Sequence, residues 1–170
     1  SFGPTRNRMN APNELFVRMA IDAWTRELDA TSTILDKLSE EQLMREVSPG
    51  RNRGIYLVGH LIAEHDLMMP LLRFQPALHP ELKTLFIDAP DRAIAELPSL
   101  QKLRELWKAV HDTLMDQIKR LPAEEWFTRH ANIAEADFPK EPHRNRLNVM
   151  ISRTNHLAYH RGQLVLLTTK

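Results

Sequence analysis

Apolar residues recur at intervals of three and four along four stretches of this chain, the spacing of an amphipathic helix. The stretches cover residues 14–38, 55–73, 100–121 and 147–167. Strand-like alternation is absent and β-branched runs are few, so the pattern predicts an all-α fold. We expect the four amphipathic segments to pack as a four-helix bundle.

Polar residues and turn signals mark the ends of these predicted helices. Asn13, Ser99 and Asn145 stand where a side chain can cap a helix N-terminus. Residues 38–43, which read Leu-Ser-Glu-Glu-Gln-Leu, predict a stop followed by a short helical turn. Pro70 is expected to kink the second helix or to end it one turn early.

Proline-rich and polar stretches separate the predicted helices. Residues 75–98 contain four prolines and predict a long irregular connection between the second and third helices, with short helical pieces at 81–86 and 91–96. This length leaves the spatial order of the helices open. Residues 1–12 predict a flexible N-terminal arm, so residues 13–170 are expected to form a single helical domain.

Composition and charge narrow the classes of function. Charged residues are 26% of the chain and the net charge is +1, which does not suggest a nucleic-acid-binding surface. No apolar run approaches about 18 residues and no basic-then-apolar leader is present, so we predict neither a membrane span nor a secretory signal. The absence of cysteine fits a cytoplasmic protein and leaves histidine, carboxylate and water as metal ligands.

Two histidines lie four positions apart in the last predicted helix. His156 and His160 differ by about 40° around the helix axis and about 6 Å along it, so both rings point to the same side. This suits two ligands of one divalent metal, although two surface histidines also fall at this spacing by chance. The best third ligand is His60, between Val58 and Ile62. A core histidine bonded to a carbonyl is the alternative for His60.

Several polar residues near these histidines are candidates for supporting roles. Glu64 is a candidate catalytic base, with a solvated helix carboxylate as the alternative. Asn155 and Tyr159 are candidates to orient the ligand rings. Arg161 and Gln163 follow the last of the histidines, and the arginine could pair with a helix carboxylate or bind an anionic substrate group.

Three other positions carry weaker expectations. His65 lies about 140° around the helix axis from His60, so the two are not expected to serve one ion. His111 stands beside Asp112 in the third helix and is expected to face solvent. Gly162 inside the last helix predicts the close approach of a neighbouring helix.

Two segments of the chain resemble the DinB/YfiT-like family of metal-binding four-helix bundles. Residues 155–163 read Asn-His-Leu-Ala-Tyr-His-Arg-Gly-Gln, and residues 58–65 read Val-Gly-His-Leu-Ile-Ala-Glu-His. The acidic turn at residues 38–43 is also similar to the family's. The resemblance extends over residues 13–167, nearly the whole chain.

This resemblance implies an up-down-down-up helix order and a divalent metal held by His60, His156 and His160, with open positions for water or substrate. Zinc, nickel, iron and manganese all accept imidazole. Members of the family are often homodimers with small-molecule substrates, and some are transferases or isomerases that use thiols such as bacillithiol or mycothiol. Three functions stay open: a thiol S-transferase, which we favour, a metal-dependent hydrolase, and a non-catalytic metal-binding or small-ligand-binding dimer.

Overall fold

Helices and turns make up the part of the chain that this computed structural model describes, residues 11–168. The long helices are α1 (Ala11–Lys37), α3 (Gly54–Leu71), α4 (Leu100–Arg120) and α5 (Arg146–Val165), and α2 (Glu40–Leu43) is a short turn. Shorter helical turns lie at Thr84–Asp88, Ala123–Phe127, Phe138–Lys140 and Leu166–Thr168. The predicted all-α class is confirmed, because the described residues form isolated bridges but no strand.

The long helices bury their apolar faces against one another. α1 packs against α5, α3 packs against α4, and α3 also contacts α5. Trp24, Phe86 and Trp126 are among the largest fully buried side chains. Burying an aromatic or aliphatic side chain of this kind contributes about 1.5–3 kcal/mol. None of the helices in the described part of the chain has the length and apolar character of a membrane span.

Local signals at the helix ends account for most of these boundaries. Ser99 accepts a hydrogen bond from a backbone N–H three positions on at 3.1 Å, and Asn145 does the same at 2.9 Å, so both predicted N-caps are confirmed. Asn13 is not a cap, because α1 already begins at Ala11. The arm predicted for residues 1–12 lies outside the described residues except for its last two, which belong to α1.

The connection between α3 and α4 is bonded to the side of α3. Asp66 is buried, and its carboxylate accepts the backbone N–H groups of Leu78 and His79, both at 2.8 Å. Tyr56 donates its hydroxyl to the carbonyl of Ala89 at 2.6 Å. These bonds explain how a proline-rich segment is held in one place beside the helix.

The helical piece predicted at residues 91–96 is wrong. Asp91 instead accepts the backbone N–H of Arg53 at 2.8 Å and pairs with its guanidinium at 2.8 Å. Arg92 then takes the left-handed conformation, with φ of 71°. Residues 91–95 form turns and bends, and a left-handed residue interrupts a right-handed helix.

A single helical turn, Thr84–Asp88, interrupts this connection and overlaps the piece predicted at 81–86. Its buried Phe86 packs on Gly59 of α3, where an added Cβ would lie 2.2 Å from the ring. Glycine is therefore required at position 59. The close approach brings the backbone carbonyl of Phe86 to the level of His60.

Candidate metal centre

Three histidine rings from two helices come together between α3 and α5. The Nε2 atom of His60 lies 3.2 Å from Nε2 of His156, and Nε2 of His160 lies 3.1 Å from that same atom. All three residues are half-buried, and their nearest ring nitrogens lie within 4.8 Å of one another. Among the described residues, these three make the one group of at least three side chains that could hold a metal ion.

Hydrogen bonds on the opposite ring edges fix the protonation of two of these rings. Nδ1 of His60 lies 2.8 Å from the carbonyl oxygen of Phe86, and Nδ1 of His160 lies 2.7 Å from Oε1 of Gln163. Because both oxygens only accept, each Nδ1 carries the proton and each Nε2 presents a lone pair. Both lone pairs face His156, whose single ring proton cannot satisfy them equally.

This donor set fits a divalent metal ion. A cation between the three Nε2 atoms would be attracted to lone pairs that otherwise repel one another. Metal-binding histidines usually donate their other N–H to a carbonyl or amide oxygen, as His60 and His160 do here. The Nδ1 atom of His156 is buried and has no hydrogen-bond partner among the described residues.

The surroundings favour the neutral imidazoles that a metal requires. Burial lowers the pKa of His156 to about 4, with further lowering by the neighbouring His160, His60 and Arg153. Burial also lowers the pKa of His160, although its hydrogen bond to Gln163 acts in the opposite direction. Both rings are therefore uncharged at neutral pH.

An ion pair flanks the three histidines on the same side of the two helices. Glu64 follows His60 by one turn of α3, and its carboxylate lies 3.0 Å from Nη1 of Arg153. The two side chains are 15% and 26% exposed, so this pair is largely screened from solvent. Glu64 is thus neither free nor a solvated surface carboxylate. Sequence reasoning missed Arg153, although its position three residues before His156 puts it on the same helix face.

The other predicted neighbours of the histidines differ in how close they lie. Gln163 contacts the ring of His160 directly. Tyr159 is 66% exposed, and its ring lies edge-on to that of His160 at 5.1 Å. Asn155 is exposed, and its side chain makes no hydrogen bond to the histidine rings in the described structure.

Arg161 and Gly162 follow His160 in α5, and the structure decides the expectation for each of them. The guanidinium of Arg161 binds the carboxylate of Glu27 in α1, with Nε 2.6 Å from Oε2. This is the helix-carboxylate pairing that the sequence left open. Gly162 is exposed and would have no atom within 4 Å of an added Cβ, so the predicted close approach of a helix there is wrong.

A second histidine pair lies buried among α1, α3 and α4. Nδ1 of His65 is 2.7 Å from Nε2 of His111. The ring centroid of Trp24 lies 4.9 Å from that of His65, and the ring centroid of Trp107 lies 4.3 Å from that of His111. The solvent exposure expected for His111 is wrong, since it is 6% exposed. The signal was present in the sequence, because His111 lies four positions after Trp107 and three before Leu114, within the apolar stripe of α4.

The comparisons with known proteins identify the family of this chain. The family model described as the DinB superfamily matches residues 23–164. That span includes the three converging histidines. No curated protein matches the sequence.

Proposed function

This chain belongs to the DinB superfamily, and we propose that it binds one divalent metal ion through His60, His156 and His160. The observation that carries this proposal is the convergence of three Nε2 atoms, two of which have their lone pairs directed inward by bonds on the opposite nitrogen. Imidazole ligands suit zinc, nickel, iron or manganese.

The activity we favour is that of a thiol S-transferase. Three protein ligands are typical of a catalytic metal site, in which a bound metal keeps an open position and lowers the pKa of a thiol or a water. The chain has no cysteine, so the thiol would be a separate small molecule such as bacillithiol or mycothiol. Hydrolysis of a small-molecule substrate is the alternative, and a non-catalytic metal-binding or small-ligand-binding dimer is the third.

Glu64 is the side chain we propose as a proton acceptor. Its carboxylate lies 3.0 Å from Nη1 of Arg153, beside the three histidines, and a carboxylate is a group that can accept a proton. Limited exposure of both side chains strengthens the pairing relative to one at the surface. The role is compatible with either reaction, because a thiol, a water or a leaving group each exchanges a proton.

We also infer that the helices follow the up-down-down-up order. Two contacts support opposite directions for α3 and α5: His60 lies against His156, and Glu64, further along α3, pairs with Arg153, which is earlier in α5. The short elements that directly follow α1 and α5 touch each other, namely α2 and the turn Leu166–Thr168. That contact favours a parallel arrangement of α1 and α5.

Two contacts of α4, one with α3 and one with the residues after α3, support its direction in this order. His65 meets His111, and Gln75 accepts a hydrogen bond from Gln117, so positions increase together along both segments. This supports a parallel arrangement of α3 and α4. A homodimer and a cytoplasmic location remain predictions from the family resemblance and the composition.

Metal analysis of the purified protein tests the site. We expect wild type to bind about one equivalent of a divalent metal, and His160→Ala to bind much less. His143→Ala is the matched control, since His143 is exposed and lies in the loop before α5. Equal metal content in wild type and His160→Ala would refute the site.

Turnover assays separate the three activities. Metal-loaded protein is incubated with an electrophilic acceptor such as monochlorobimane, with and without a small thiol, against the uncatalysed rate. Conjugation that needs thiol and metal supports the S-transferase, and thiol-independent, metal-dependent release of product supports the hydrolase. If metal binds but no electrophile is converted, the non-catalytic binder is favoured.

A further inference from the structure

Three arginines meet where the end of α3 approaches the start of α5. Nη1 of Arg73 donates to the carbonyl of Arg129 at 3.4 Å. The backbone N–H of Arg146 donates to the carbonyl of Thr128 at 3.0 Å, which ties the start of α5 to the loop that carries Arg129. Three segments distant in sequence thus bring three arginines close enough for the charges of Arg73 and Arg129 to act on Arg146. The guanidinium of Arg129 also donates from Nη1 to the carbonyl of Ile133 at 3.2 Å.

Arg146 is a buried residue whose guanidinium has no hydrogen-bond partner among the described residues. Arg146 is 6% exposed, and its Nε is enclosed and unbonded. No hydrogen bond or ion pair reaches its side chain from any described residue. The neighbouring acid, Glu125, is exposed and acts on Arg146 through space without forming an ion pair. Removing a cation from water without a compensating group costs free energy.

The position of Arg146 adds two further unfavourable effects. Arg146 is the first residue of α5, a helix of 20 residues, so its charge stands at the positive end of the helix dipole. Burial lowers the pKa of its guanidinium, and the charges of Arg73 and Arg129 lower it further. Desolvation, the helix dipole and two like charges therefore all oppose this cation. The same helix dipole and the same two charges would attract an anion. A bound anion would also give the guanidinium of Arg146 a hydrogen-bond partner.

We propose that Arg73, Arg129 and Arg146, at the N-terminus of α5, bind a phosphate-type oxyanion. Guanidinium groups present forked N–H donors that match phosphate oxygens, and a helix N-terminus attracts the same charge. Of the Arg146 guanidinium nitrogens, only Nε is both enclosed and unbonded, so an anion would meet the Nη edge.

This anion site is separate from the three histidines. His156 stands ten positions beyond Arg146 in α5, which is about 15 Å along the helix axis. The ligand proposed here is a phosphate group, free or carried by a small molecule. Because of this separation, it need not be the group that reacts at the histidines. The two proposals can be tested independently.

Titration with inorganic phosphate tests the assignment. Amide chemical shifts of the full-length protein are followed at constant ionic strength, with chloride and acetate as competing anions. We expect saturable shifts around residues 73, 129 and 146, and a loss of about tenfold in phosphate affinity for Arg146→Gln. Arg26→Gln in α1 is the matched control, because Arg26 is exposed.

Each remaining outcome decides the question. Equal phosphate affinity in wild type and Arg146→Gln, or equal shifts with chloride, would mean an adventitious ion only and overturn the proposal. If Arg146→Gln does not fold, Arg73→Gln replaces it, since Arg73 is exposed and its loss leaves the core intact. Weaker phosphate binding in Arg73→Gln supports the site, and unchanged binding overturns it. Metal content should stay at the wild-type level in both variants.

Discussion

The Nε2 atoms of His60 and His156 lie 3.2 Å apart, although 96 positions separate the two residues in the chain. His160, one turn further along α5, approaches the same atom of His156 at 3.1 Å. The Nδ1 atoms of His60 and His160 are each held by an oxygen acceptor. The ring orientations are therefore set by the protein's own contacts.

Gln163 holds the ring of His160 through a hydrogen bond of 2.7 Å. We expect Gln163→Leu to weaken metal binding by about 10–100-fold, because the ring loses the acceptor that fixes its protonation and orientation. Gln163→Glu keeps an acceptor and should retain most of the affinity. Competition with a chelator measures the dissociation constants, and Gln101→Leu on the exposed side of α4 is the control. Similar affinities for wild type and Gln163→Leu would argue against this role.

Glu64 is the carboxylate beside the three histidines. Glu64→Gln removes the proton acceptor but preserves the shape of the side chain, so we expect metal content to persist while turnover falls by about 10²–10⁴-fold. The measurement is kcat on metal-loaded protein, alongside metal analysis. Glu41→Gln is a suitable control, because the side chain of Glu41 is 87% exposed. Wild-type turnover in Glu64→Gln would exclude Glu64 as the base.

Gly59 and Gly162 offer a matched pair of substitutions in two helices. Gly59→Ala places a methyl group 2.2 Å from the ring of Phe86 and should destabilise the protein by about 1–3 kcal/mol. Gly162→Ala meets no neighbouring atom within 4 Å and should stabilise α5 by about 0.5–1 kcal/mol. Urea unfolding measures both. A destabilised Gly162→Ala, or an unaffected Gly59→Ala, would contradict these contacts.

The buried pair of His65 and His111 predicts a loss of stability in acid. Burial lowers the pKa of His111 from 6.5 to about 4, and burial also lowers the pKa of His65. Between about pH 4 and pH 6.5 the unfolded chain binds a proton at His111 that the folded protein excludes. The free energy of unfolding therefore rises with pH over this range. One such histidine contributes on the order of 3 kcal/mol, present above about pH 6.5 and lost towards pH 4.

Urea unfolding at a series of pH values measures this dependence. We expect a shallower slope between pH 4 and pH 6.5 for His111→Leu than for wild type, because one excluded proton is removed. His143→Ala keeps the buried pair and should follow wild type. A slope in His111→Leu as steep as that of wild type would assign the acid sensitivity to other groups.

Local patterns were sufficient for the helices and for part of the candidate site. A helix repeats every 3.6 residues, so apolar spacing alone located the four long segments. The caps at Ser99 and Asn145 depend on atoms within a single turn and were equally readable. The shared side of His156 and His160 follows from helix geometry without knowledge of any other part of the chain.

The partners of these local features depended on packing between distant segments. Nothing near His60 in sequence indicates that the carbonyl of Phe86 would bond its ring, because that contact exists only where the long connection folds back onto Gly59. The buried bond between His65 and His111 likewise needs α3 and α4 to meet along particular faces. A periodic pattern defines which residues share a face, whereas the choice of facing partner is made by the packing of the whole core.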